Sequence, residues 1–182
     1  MTDKATLRAQ ARDRRAHAFE TVDPAPALDM LSAELAKTTG PISFYWPIRT
    51  EIDPSPLMEG LAATRPVCLP VTHGREAPLT FRAWQPGAAM ETDGFGVSVP
   101  AVDDEMTPEV LIVPMLAFDP NLHRLGYGAG HYDRTFAKLR PAGPIFAIGF
   151  AYEAQRTGPL PVEPTDQALD LIVTEERVHR PA

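Results

Sequence analysis

Val110-Leu111-Ile112-Val113-Pro114, followed after a short interval by Arg124-Leu125-Gly126-Tyr127-Gly128-Ala129-Gly130-His131-Tyr132-Asp133-Arg134, is the stretch whose reading decides the fold. The first run is short, apolar and rich in β-branched residues, which predicts a buried strand. Tyr132 to Leu139 predicts a helix. The glycine-bearing segment therefore lies where a strand hands over to a helix N-terminus, a place where unpaired backbone N–H groups and the helix dipole favour an anion.

Gly126, Gly128 and Gly130 alternate with larger residues between Arg124 and Arg134 and lead into Asp133. Glycine opens φ > 0 and lets backbone N–H groups come close to a ligand, which is how a loop wraps phosphate. The spacing is not G-x-G-x-x-G, and no G-x-x-x-x-G-K-[ST] occurs in the chain, so neither a dinucleotide fingerprint nor a P-loop is supported. A glycine-rich turn between strand and helix is the plain alternative. The two flanking arginines argue for an anion instead.

Working outward, Lys4 to Phe19 and Pro24 to Lys37 carry apolar residues at helical spacing: Leu7, Ala11 and Ala18 in the first, Leu28, Leu31 and Leu35 in the second. Ile42 to Trp46 predicts a strand, Pro54 to Thr64 a helix and Pro66 to Val71 a strand, a β-α-β order. Leu79 to Trp84 adds a strand, and Gln85 to Pro108, with its Gly, Pro and acidic residues, reads as a long surface excursion. With Val110 to Pro114, Ile145 to Phe150 and Leu169 to Val173 the sheet has about six strands. The expectation is an α/β fold: a single three-layer domain over residues 1–182 with a mixed, largely parallel sheet flanked by helices. In such sheets ligands bind beyond the carboxyl ends of the strands. Tyr45 to Glu51, the glycine loop and the segment around Gln155 all follow strands and are expected to converge on one cleft.

Composition narrows the function classes. The chain has 182 residues, 44% of them hydrophobic, enough for one core, and a formal net charge of −7 that disfavours a nucleic-acid surface. No apolar run of membrane-spanning length occurs, and Met1 to Arg15 is basic and polar where a signal peptide would turn apolar, so no membrane partner is expected and the cytoplasm is the expected location. A monomer is expected. Cys68 is the only cysteine, which excludes an intrachain disulfide; in Pro66-Val67-Cys68-Leu69-Pro70 it reads as a packed residue. Arg8, Arg12, Arg14 and Arg15 gather in the first helix, a local positive patch in an acidic chain.

Four segments resemble one family in order along nearly the whole chain. Lys4-Ala5-Thr6-Leu7-Arg8, Tyr45 to Glu51, Pro114-Met115-Leu116-Ala117-Phe118-Asp119 with Arg124 to Arg134, and Leu160-Pro161-Val162-Glu163-Pro164-Thr165-Asp166 are similar to the motifs of 5-formyltetrahydrofolate cyclo-ligases, also called 5,10-methenyltetrahydrofolate synthetases. The resemblance implies an ATP-dependent cyclisation. The 5-formyl oxygen attacks the γ-phosphate, N10 closes on the activated carbon, and phosphate leaves to give 5,10-methenyltetrahydrofolate. Such a reaction depends on positioning and electrostatics and needs no nucleophilic side chain.

The resemblance also implies roles. ATP falls to Lys4 and Arg8, one helical turn apart, and to Arg124, Gly126, Gly128, Gly130 and Tyr132, with Arg124 and Tyr132 nearest the chemistry. The folate falls to Glu51, whose carboxylate can accept two pterin N–H groups at once, and to Tyr127, Gly128, Ala129, Gly130 and His131. Mg²⁺ falls to Asp133 and Asp166, two carboxylates being enough when phosphates and water complete the octahedron. Asp170 is a competing acid, and Glu51 has an alternative role at the start of the following helix. Tyr45, Trp46 and Phe118 are candidate stacking walls. Two positions depart from many family members: His131 stands where a tyrosine is common and Thr165 where a histidine is common. Rival readings are a non-catalytic folate-binding protein, a phosphosugar isomerase or CoA-transferase-like enzyme on a related scaffold, an RNA-associated accessory domain, and a transition-metal site at His123, His131 and Asp133.

Overall fold

A computed structural model describes residues 4–181. In chain order the elements are α1 (Lys4–Thr21), α2 (Ala25–Leu35), β1 (Ile42–Ser43), α3 (Ser55–Leu61), β2 (Val67–Val71), β3 (Thr80–Trp84), β4 (Met90–Thr92), β5 (Ser98–Pro100), β6 (Val110–Val113), β7 (Ala117–Phe118), β8 (Arg124–Leu125), α4 (His131–Leu139), β9 (Phe146–Phe150), β10 (Leu171–Val173) and β11 (Val178–His179). Prolines stand where helices tolerate them: α2 and α3 each carry one in the first turn, where the missing N–H has no intrahelical partner to lose.

The main sheet has seven strands in the order β11-β10-β9-β6-β1-β2-β3. Strands β10, β9, β6, β1 and β2 run parallel, and an antiparallel strand closes each edge. Both faces are covered, so the central strands are almost wholly apolar, with Ser43 of β1 the buried polar exception. Val110, Ile112, Ile148, Leu171 and Val173 pack against α1, α2 and α3 through Ala18, Leu31, Leu35 and Met58. Leu111, Val113, Ala147 and Ile172 face the other way, onto Phe136 of α4. This is the expected three-layer α/β arrangement with a mixed, largely parallel sheet. Cys68 sits inside that second layer, and burial pushes its thiol up to about 12.

Several local expectations are corrected. The strand expected over Ile42 to Trp46 pairs only through Ser43; the Phe44 N–H still reaches the Cys68 carbonyl at 3.1 Å, and beyond it the chain turns out of the sheet. Gln85 to Pro108 is not a structureless excursion. It contains the β4–β5 hairpin, whose turn is built by Asp93 Oδ1 accepting the Phe95 and Val97 N–H groups at 2.9 and 3.0 Å. β11 and the small β7–β8 pair were not expected; two-residue strands leave almost no periodicity to read.

Chain order sets where a ligand can enter. From β1 the chain crosses by α3 to β2, on one side; from β6 it crosses by α4 to β9, on the other. Neighbouring strands β1 and β6 therefore send their connections apart, and the crevice outside their carboxyl ends is a topological switch point. Glu51 follows β1 and the glycine loop follows β6.

Candidate active site

That crevice is a cleft of about 1050 Å³. Every residue to which the resemblance assigns an ATP, folate or Mg²⁺ role lines it: Lys4, Arg8, Glu51, Arg124, Gly126 through Asp133, and Asp166. Tyr45 and Trp46 also line it. Phe118 does not; it is fully buried with its ring edge against His179, so it is a core residue and not a stacking wall. Gln155 also departs from expectation. Its buried side chain donates to the Met115 and Leu116 carbonyls at 2.7 and 3.2 Å, fastening the end of β6 without entering the cleft. The wall expected from that segment comes instead from residues 160–167 and from Asp93, Phe95 and Val97 of the hairpin.

The glycine loop is held by α1. Arg8 Nε donates to the Gly126 carbonyl at 3.0 Å, and its guanidinium lies so close to Gly128 that a Cβ there would stand 3.2 Å from Arg8 Cζ. Gly128 and Gly130 have φ of +107° and +68°, and Gly130 is the left-handed N-cap of α4. An L side chain resists both positions. Gly126 has no such demand and faces open space. Arg134 Nη1 donates to the Ala129 carbonyl and closes the loop from its far end. The loop thus presents the α4 N-terminus to the cleft.

Beside it, Arg124 and Asp133 pair with each other. Arg124 Nη2 donates to Asp133 Oδ1 at 2.7 Å, Nη1 donates to the Gln167 carbonyl at 2.7 Å, and the guanidinium covers the Phe136 ring at 5.1 Å. Asp119 makes this possible: its Oδ1 accepts the Asn121 and His123 N–H groups, forming the turn that returns the chain into β8. Asp133 Oδ1 also accepts the Gln167 N–H at 2.9 Å, which brings Asp133 beside Asp166. Asp166 Oδ2 accepts the Glu163 N–H at 2.8 Å and lies 3.7 Å from Lys4 Nζ, while Lys4 pairs with Glu163. Asp133, whose carboxylate holds the backbone next to Asp166, and Asp166 itself, at the edge of the glycine loop, are a donor set suited to Mg²⁺ shared with phosphate oxygens. The histidines have other company: His123 Nδ1 lies 3.3 Å from Asp119 Oδ2, and His131 Nδ1 is 3.3 Å from the Ala77 carbonyl with Phe95 edge-on at 5.4 Å. Burial depresses His131, keeping it neutral. Burial also raises Tyr132 well above the ordinary phenol range, so its hydroxyl stays protonated at neutral pH.

On the opposite wall Glu51 is 5% exposed. Its Oε2 accepts the Ile48 N–H at 3.0 Å and its Oε1 the Tyr127 hydroxyl at 3.3 Å. It does not open α3, which starts at Ser55 after Pro54; the carboxylate beside that start is Asp53, whose Oδ1 accepts the Ser55 N–H at 2.8 Å. Two neighbours of Glu51 were missed from the sequence as site residues. Arg15, read in the sequence as part of a local positive patch, is buried with Nη1 3.7 Å from Glu51 Oε1, and Arg49 lies 5.6 Å from the Tyr127 ring centre. The available signal for Arg15 was its position on the apolar stripe of α1, between Ala11 and Ala18.

The profile of the 5-formyltetrahydrofolate cyclo-ligase family matches residues 1–175. The chain is 35% identical over 140 residues to the 5-formyltetrahydrofolate cyclo-ligase of Escherichia coli K12, covering 70% of this chain and 74% of that one. It is 30% identical over 180 residues to the enzyme of the same name from Haemophilus influenzae, covering 94% of each. The solution structure of Aquifex aeolicus 5,10-methenyltetrahydrofolate synthetase superposes with a TM-score of 0.75 at 25% identity, over 96% of this chain and 92% of that one. A 5,10-methenyltetrahydrofolate synthetase from Mycoplasma pneumoniae shares the fold, with a TM-score of 0.75 at 21% identity over 96% and 99% of the two chains. The matched residues run through α1, the β1 loop, the glycine loop and the 160–167 segment, all the walls that meet around Glu51 and Asp133, and the chain belongs to the 5-formyltetrahydrofolate cyclo-ligase family.

Proposed function

We propose that this chain closes 5-formyltetrahydrofolate to 5,10-methenyltetrahydrofolate in the cleft between β1 and β6, with ATP as the phosphoryl donor, as a cytoplasmic monomer of one domain over residues 1–182 that uses neither nucleic acid nor membrane. The ligase activity and the use of ATP are those of its family. The observation that carries the residue assignment is the bond from the Tyr127 hydroxyl to Glu51: a side chain of the glycine loop touches the carboxylate suited to a pterin, so nucleotide and folate would lie side by side.

In this reading Glu51 orients the pterin by accepting its N–H groups, and Tyr127, Ala129 and His131 border the folate. Arg8 and the N–H groups from Gly126 to Tyr132 hold the polyphosphate. Lys4, now paired with Glu163, adds a second cation at the same end. Arg124 orients Asp133, and Asp133 with Asp166 would hold Mg²⁺, which when bound supplies positive charge to the transferring phosphoryl group. Protonated Tyr132 serves as a donor and not as a base. The formyl oxygen bonds to the γ-phosphorus as ADP leaves; N10 then bonds to the formyl carbon and gives up its proton to solvent, and the carbon–oxygen bond breaks with phosphate as the leaving group.

Incubation with 5-formyltetrahydrofolate, followed by the methenyl absorbance, tests the reading. Turnover is expected only with both ATP and Mg²⁺. Equal rates after chelation would remove the metal assignment, and equal rates without nucleotide would remove phosphoryl activation.

A further inference from the structure

Arg15 occupies a position that α1 could fill with an apolar residue, between Ala11 and Ala18 on the buried stripe, yet it is an arginine that is 1% exposed. Replacing a buried ion pair by packed apolar side chains is commonly neutral or stabilising, so folding alone gives little reason to keep a charge there. Its partners indicate another reason. Nη2 donates to the Tyr127 hydroxyl at 2.7 Å, Nε to Thr50 Oγ1 at 3.2 Å and Nη1 to the Met115 carbonyl at 3.3 Å, with Glu51 Oε1 3.7 Å from Nη1. The fork of one guanidinium thus reaches the loop after β1, the end of β6 and the glycine loop, three segments otherwise far apart in the chain. Each Glu51 oxygen, bonded once by Ile48 or Tyr127, keeps a lone pair for a ligand.

We propose that Arg15 is a positioning residue for the folate: it fixes the Glu51 carboxylate and the Tyr127 hydroxyl relative to each other, so that Glu51 meets the pterin N–H groups in one orientation. The proposal rests on Glu51 being the pterin carboxylate. Arg15 touches no substrate; it acts through Glu51, and its planar fork is what a lysine cannot reproduce.

A double-mutant cycle in the full chain tests this. Glu51→Gln and Arg15→Met should each raise KM for 5-formyltetrahydrofolate about tenfold or more, the scale of one lost charge-assisted contact, while KM for ATP changes less than about threefold. In the Glu51→Gln background, Arg15→Met should add less than about threefold, because coupled residues are not additive. If the two factors simply multiply, Arg15 does not act through Glu51 and the proposal falls while the Glu51 assignment stands. If Glu51→Gln leaves the folate KM unchanged, the assignment itself fails and takes the proposal with it. Should Arg15→Met not fold, Arg15→Lys carries the cycle: a smaller rise in folate KM that disappears with Glu51→Gln is expected, and an unchanged folate KM with a lowered melting temperature would make Arg15 merely structural.

Discussion

Glu51 is a carboxyl group placed where its charge is resisted. Burial is the largest influence on it and raises its pKa above the ordinary 4.5, against the Ile48 N–H, Arg15, the Tyr127 hydroxyl and Arg49, all of which favour the ionised form. A carboxyl with a raised folded-state pKa stabilises the fold most when protonated; that contribution is present below the unfolded-state value and is lost as pH rises through the folded-state value. Glutamine cannot ionise. Glu51→Gln should therefore gain in melting temperature relative to the unsubstituted chain as pH rises from the ordinary glutamate value of 4.5. Thermal melts over that rise in pH check it, and a difference that stays flat or moves the other way would show that the cations outweigh burial. The glutamate was legible as a candidate in Tyr45 to Glu51 because a carboxylate is the natural acceptor for paired N–H donors. Arg15 was not, since a sequence does not say whether an arginine on a terminal helix is solvated or enclosed.

At the scale of elements, α1 and the glycine loop form one device. Gly128 is both left-handed and pressed against the Arg8 guanidinium, whereas Gly126, two residues away, is neither. Gly128→Ala should lose about 1–2 kcal/mol of stability from backbone strain and raise KM for ATP as Arg8 is pushed aside, while Gly126→Ala should leave the melting temperature nearly unchanged. Denaturant melts with ATP kinetics on both variants distinguish them, and equal losses would mean that the loop is set by its ends alone. The three alternating glycines were visible in the sequence; which of them the backbone needs was not, because φ follows from how the chain closes between β8 and α4. The hairpin of residues 90–100 escaped for a related reason. Its strands have three residues each, too few for alternation to stand out, and only Asp93-Gly94 marked its turn.

Across the whole molecule, the parallel sheet gives every acid an address. Asp133 stands at the N-terminus of α4, on the carboxyl side of β6, where the cleft lies. Asp170 immediately precedes β10, at the opposite end of the sheet, where its Oδ2 accepts the Ala147 N–H at 2.7 Å. Two aspartates that compete in the sequence are thereby separated by the thickness of the fold. Asp170→Asn should lower stability by about 1 kcal/mol, a few degrees in melting temperature for a chain of this size, and leave the dependence of rate on Mg²⁺ unaltered. Asp133→Asn should keep the fold and sharply reduce turnover, with the rate no longer saturating at the usual Mg²⁺ concentration. Initial rates against Mg²⁺ for the two variants, with a melt of each, check both expectations. A magnesium curve disturbed by Asp170→Asn alone would reverse the assignment.

What the sequence determined by itself was the layered α/β class and the family. Short apolar runs rich in β-branched residues, such as Val110 to Val113, favour strands covered on both faces, and the ordered motifs from Lys4 to Asp166 are local patterns that survive without coordinates. Tertiary structure alone decided the partnerships: that Arg124 clamps Asp133, that Lys4 is shared by Glu163 and Asp166, that Phe118 and Gln155 belong to the frame and not the cleft, and that Arg15 lies behind Glu51. The physical reason is range. Propensity, turn chemistry and periodicity act over a few residues, whereas a buried charge is placed by groups brought to it from several elements, and their identity is settled only when the sheet order sets β1 beside β6.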